Sequence, residues 1–130
     1  MPWIMSESDE SSRMERDAVK RFGFVARVRP NRLDEYVKLH ADVWPGVVGM
    51  IKECHIQNYS IYVKKLPDGN HYLFSYLEYT GDDFEADMKK MAAHEETQRW
   101  WAVCKPCLEP IEQLPPGDVW APMDEAFSLD

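Results

Sequence analysis

A chain of 130 residues has room for one domain with a modest core and none for a second. It is 45% hydrophobic and 12% aromatic, so it can collapse, while 23 Asp and Glu against 15 Lys and Arg give a formal net charge of -8, the wrong sign for a phosphate-tracking surface. Neither nucleic acid nor membrane is an expected partner, since no apolar run approaches the roughly 18 residues of a membrane span.

Residues 1–20 are Ser-rich and acidic, with no apolar periodicity after Ile4 and Met5, and read as a flexible extension that cannot offset the entropy of its own ordering. The folded domain is expected over residues 21–130. The N-terminus lacks an apolar core of the secretory kind, and three cysteines, Cys54, Cys104 and Cys107, suit a reducing compartment better than a disulfide scaffold. The expected location is the cytoplasm.

From Arg21 the pattern has period two, with Phe22, Phe24, Ala26 and Val28 on one side and Gly23, Val25, Arg27 and Arg29 on the other, which predicts a strand. Pro30 and Asn31 end it, and Asn31 is placed to cap the helix that follows. At about 100° per residue, Leu33, Val37, Ala41 and Trp44 share the arc expected to face the core, with Tyr36 and His40 one turn apart on its flank. Pro45 breaks that helix beside Trp44, and a weaker second piece runs from Val47 to about Cys54.

Asn58–Lys65 and His71–Tyr79 then read as a hairpin around a Pro-Asp-Gly turn. Tyr72, Phe74 and Tyr76 oppose Leu73, Leu77 and Tyr79 on its second arm, so both faces are apolar or aromatic and a second subunit or layer is expected to cover one of them. A helix over about 83–94 presents Phe84, Met88 and Met91 inward, and Gln98–Cys104 adds a turn or two. A proline-stiffened connection follows, and Met123–Leu129 supplies a last short strand. The order β, α, β, β, α, β predicts an α+β, ferredoxin-like split unit.

Four groups could carry chemistry. An imidazole at His40 can exchange a proton near neutral pH, and the phenol of Tyr36 can orient it or a substrate hydroxyl. Trp100 and Trp101 offer indole faces for a flat, partly apolar ligand; adjacent on a helix, they diverge by about 100° and must line two walls rather than one. Tyr59 leads an apolar face, so its hydroxyl needs a partner in protein or substrate. Cys104 and Cys107 form a C-x-x-C that trails into prolines, a poor setting for redox or zinc work, and are read as free thiols. The sequence holds no glycine-rich phosphate loop and no G-x-S-x-G.

Glu35, Tyr36 and His40 as E-Y-x-x-x-H, Val43–Pro45 as V-W-P, Asn58–Tyr62 as N-Y-S-I-Y and Gln98–Trp101 as Q-R-W-W resemble, in order and spacing, the L-rhamnose mutarotase family. The resemblance runs from about Phe22 to Leu129. It implies a dimeric α/β barrel made by two ferredoxin-like sheets, acting on a monosaccharide without metal or cofactor. By the same resemblance His40 matches the proton donor, while Tyr36, Tyr59, Trp100 and Trp101 match substrate-binding positions. Where I-W-P-E is familiar, this chain has Val43 and Gly46, and Cys54–Gln57 replaces a glycine-containing segment. The expected activity is interconversion of the α and β anomers of a 6-deoxy aldose, L-rhamnose first and L-fucose as the nearest alternative. A small oxygenase or a non-catalytic sugar-binding module on the same fold are the other readings.

Overall fold

The computed structural model describes residues 19–129. Nearly all of the extension read over residues 1–20 lies outside that range. Strand β1 (Lys20–Val28) is followed by helices α1 (Leu33–His40) and α2 (Pro45–Glu53), the hairpin β2 (Ile56–Lys65) and β3 (His71–Tyr79), and helices α3 (Phe84–Ala93) and α4 (Glu95–Cys104). A single 3-10 turn, Lys105–Cys107, leads to β4 (Leu108–Glu109) and β5 (Ala121–Met123). The sheet is antiparallel in every pairing and ordered β2-β3-β1-β4, with β5 also on β1. This is the ferredoxin-like order expected from the element pattern, with each crossover helix split in two.

Residues facing each other across the ladders share a side of the sheet. Phe22, Phe24 and Ala26 stand opposite Leu77, Ser75 and Leu73, and all lie on the side packed under the helices. Leu73 and Tyr79 are 1% and 0% exposed, so this face carries the largest buried side chains and the main stabilisation, about 1.5–3 kcal/mol for each large apolar group removed from water. The other face holds Val25, Phe74, Tyr76 and Tyr62, and Tyr62 is 66% exposed in the single chain.

The helix boundaries follow from local chemistry. Helix α1 ends at His40, four residues earlier than a break at Pro45 would place it; Trp44 precedes the proline and is extended (φ -59°, ψ 133°), which starts α2 with Pro45 at the first helical position, where a missing N–H costs nothing. Asp83 caps α3 by accepting the Ala86 N–H at 3.0 Å. The His94 ring caps α4 by accepting the Thr97 N–H at 3.3 Å, so α4 starts at Glu95 and spans nearly three turns, longer than the turn or two read from Gln98.

Three expectations are corrected. Asn31 does not cap α1; it takes a left-handed φ of 67° to turn the chain, and Arg32 occupies the cap position with its side chain bonded to Glu35 rather than to a backbone N–H of the first turn. Val37 is 51% exposed and Ala41 is exposed, because α1 ends at His40 and turns Leu33, Tyr36 and Leu39 inward. The closing strand is not Met123–Leu129 but the short pieces β4 and β5, separated by the prolines, and the apolar residues Phe127 and Leu129 are left 81% and 85% exposed.

Candidate active site

Helix α1 places Tyr36 and His40 one turn apart, and their rings stack at 4.1 Å between centroids. Nδ1 of His40 lies 3.0 Å from the Tyr36 carbonyl oxygen. A carbonyl can only accept, so Nδ1 carries a proton and Nε2 is the ring atom left to exchange one. Burial lowers the imidazole pKa, and the Tyr36 carbonyl opposes that shift only in part, so the resting ring is neutral near pH 7.

Trp100, 6% exposed, closes one side of the imidazole: its ring meets His40 edge-on at 5.2 Å and Trp44 edge-on at 5.2 Å. The break at Pro45 thus delivers a third aromatic, Trp44, to the back of the same wall. Trp101 points elsewhere, as adjacent helical positions require; it packs against the buried cluster of Cys54, Ile56, Leu77, Tyr79 and Met91 and against that of Val47 and Cys104, and the Lys105 ammonium lies 5.6 Å from its ring centroid.

Tyr59 comes to this place through an irregularity. Between Gln57 and Ser60 the β2–β3 register slips by one residue, and Asn58 takes a left-handed φ of 47°, so the bulge re-aims Tyr59 while Asn58 Nδ2 holds Glu78 at 2.8 Å. Tyr59 is 43% exposed as a residue, yet its phenol bonds to the buried Ser75 of β3. Burial raises the pKa of both Tyr59 and Tyr36, and each phenol is raised further by potential negative charge on its neighbours, Cys104 among them. Both therefore stay protonated and remain hydrogen-bond donors. Burial likewise pushes the Cys104 thiol up to about 12, and burial with the Glu35 carboxylate pushes Cys107 to about 11; Cys107 Sγ donates to Glu35 Oε2 at 2.8 Å. Neither thiol is a ready thiolate for redox or metal chemistry.

Of the residues singled out in the sequence, Tyr36, His40, Tyr59 and Trp100 converge, and Trp101 lines the adjoining helix face. Ser75 and Trp44 were missed. A lone serine inside the aromatic strand HYLFSYLEY was the available signal for Ser75, which is 4% exposed. An open cleft of about 520 Å3, lined by Val28, Arg29, Asn31, Asp34 and His71 among others, shares no residue with this cluster.

Comparison with known proteins gives one family. A family model described as L-rhamnose mutarotase matches residues 21–129. An L-rhamnose mutarotase of Oceanobacillus iheyensis is 34% identical over 112 residues, 86% of this chain and 100% of the relative. One of Bacillus subtilis strain 168 is 31% identical, again over 86% of this chain and 100% of the relative. In fold, the chain is similar to the crystal structure of an L-rhamnose mutarotase from Formosa agariphila, with a TM-score of 0.64 at 21% identity, covering 85% of this chain and 99% of that one.

Proposed function

Because the chain belongs to the L-rhamnose mutarotase family, we propose that it is a mutarotase, an isomerase that interconverts the α and β anomers of a 6-deoxy aldose, L-rhamnose in the first place. Opening a pyranose hemiacetal takes a proton from the anomeric hydroxyl and gives one to the ring oxygen; closure on the other face reverses both transfers. The C1–ring-oxygen bond breaks to leave the open-chain aldehyde and re-forms on the other face of C1, with no net change of oxidation state, so the reaction calls for no electron carrier and no bond to the enzyme.

The observation that carries this reading is the imidazole whose Nδ1–H is held by the Tyr36 carbonyl and whose edge is walled by Trp100. Neutral at rest, His40 takes the anomeric proton at Nε2 and, as the imidazolium, donates it back on reclosure. The ring oxygen receives its proton from a hydroxyl on its own side, phenol or water. Tyr36 and Tyr59 donate hydrogen bonds to sugar oxygens and Trp100 packs on the C–H face, while Trp101, turned onto the core, backs the helix that carries Trp100.

The active unit in this reading is a homodimer in the cytoplasm. The half-exposed outer sheet face with Tyr62 supports the first, and three buried free thiols support the second. Among the described residues, no helix is long and apolar enough to cross a membrane.

NMR of anomer exchange on L-rhamnose and L-fucose tests the assignment. The protein should speed exchange of L-rhamnose more than of L-fucose, and His40→Ala should lower kcat at least about 10²-fold, the usual scale for a general acid–base group. Equal rates for the parent protein and the variant would remove His40 from the reaction.

A further inference from the structure

Among the described residues, one buried side-chain oxygen has no hydrogen-bond partner: Oε2 of Glu96, in the first turn of α4. Native structures keep few such atoms without a reason. The carboxylate rests on the Cα of Gly46, the second residue of α2. A Cβ built on Gly46 would collide with Oε2 and come within 2.6 Å of Cδ and 3.1 Å of Oε1. Glycine at this position is thus the space the carboxylate occupies, and no other residue at 46 leaves it there.

Helix α2 begins without a side-chain cap and with no acidic residue in its first turn. The positive end of its backbone dipole therefore takes its negative partner from α4. Gly46 lies two residues after Trp44, and Glu96 lies one turn before Trp100. The carboxylate on Gly46 and the Trp44–Trp100 contact at 5.2 Å are neighbouring links between α2 and α4, and the second of them abuts His40.

Resting on the assignment of His40 as the proton-transfer group, we propose that Glu96 is a positioning residue for it: seated on Gly46, the carboxylate fixes the start of α2 against α4 and so keeps Trp44 on Trp100 and Trp100 on the imidazole. Without it the wall loosens and the ring loses its aim. Substrate is still bound by the remaining contacts, so the effect falls on turnover.

Anomer-exchange NMR on the full chain, with L-rhamnose, tests this. Glu96→Ala should lower kcat roughly 10- to 100-fold, the cost of a small misplacement at a proton-transfer site, with KM changed by less than about threefold. Gly46→Ala, whose methyl evicts the carboxylate, should reproduce the loss, and the double variant should be no slower than either single one. In a His40→Ala background, Glu96→Ala should slow nothing further. Should Glu96→Ala not fold, Glu96→Gln carries the same comparison. A Glu96 variant with the parent kcat, or one that slows the His40→Ala protein further, overturns the proposal while leaving the mutarotase reading intact. A parent protein that does not speed exchange overturns the mutarotase reading itself.

Discussion

The His40 ring and the Tyr36 backbone are joined at 3.0 Å, Nδ1 to carbonyl oxygen, across a single helical turn. The bond is local to the last turn of α1, and it settles the tautomer without any second side chain.

The first consequence is a pH profile. Burial lowers the His40 pKa, so the neutral ring that starts the cycle persists below the ordinary histidine value of 6.5. The rate should rise with pH through a midpoint below 6.5 and then level. The same group contributes stability that is present above its unfolded pKa and is lost as pH falls through the lower folded one, because the unfolded chain takes up the proton first. An acid limb of kcat/KM centred above 6.5, followed by NMR, would contradict the buried-imidazole account.

The bulge at Asn58 is the second test. Its φ of 47° suits asparagine or glycine and not a β-branched residue, for which the left-handed region costs about 1–2 kcal/mol or more. Asn58→Val should lower Tm and, by turning Tyr59 away from Ser75, raise KM; Asn58→Gly should keep KM near the parent value. Thermal melts and saturation kinetics on the two variants separate the backbone effect from the lost Glu78 contact, which both share.

Asp87 of α3 ties β3 and the α2–β2 turn to its helix, away from the site. It accepts from the Tyr79 hydroxyl and from His55 Nδ1 at 3.0 Å, and Gly81 packs so closely on Tyr79 and Asp87 that no side chain fits there. Tyr79 and then His55 hold the Asp87 carboxyl below its usual range, while Tyr79 itself is raised to about 12, chiefly by burial. A depressed carboxyl contributes stability above its unfolded pKa and loses it as pH falls through the folded one. Asp87→Asn should therefore lower Tm at pH 7 and narrow the gap to the parent protein as pH falls below the ordinary aspartate value of 3.8 and through the lower folded one. Equal melting temperatures at pH 7 would show that the network adds nothing.

The outer sheet face gives a fourth. Tyr62, 66% exposed beside Phe74 on the edge strand β2, belongs to the aromatic face proposed to be covered in a homodimer. Tyr62→Asp should shift sedimentation from dimer to monomer, because a carboxylate buried without a partner at an interface is strongly unfavourable. A parent protein that sediments as a monomer would refute the dimer at once.

Period-two and period-3.6 patterns, proline breaks and the Pro-Asp-Gly turn depend on neighbours along the chain, and from them β1, the hairpin, the split helices and the sheet order were legible. So were Tyr36, His40, Tyr59 and Trp100 as candidates, since their spacing and chemistry are local. What contacts distant in sequence decide was not. Val37 faces water because α1 stops at His40 and rotates onto the sheet; Ser75 belongs to the site because a bulge one strand away aims Tyr59 at it; the last strand lies at Ala121–Met123 because the edge of β1 accepts pairing there. Spacing along the chain was enough for the elements and for the reactive side chains as candidates. Which faces are dry, which oxygen of Glu96 is left alone on Gly46 and which nitrogen of His40 is free follow from the folded arrangement, because each depends on atoms that no sequence period brings together.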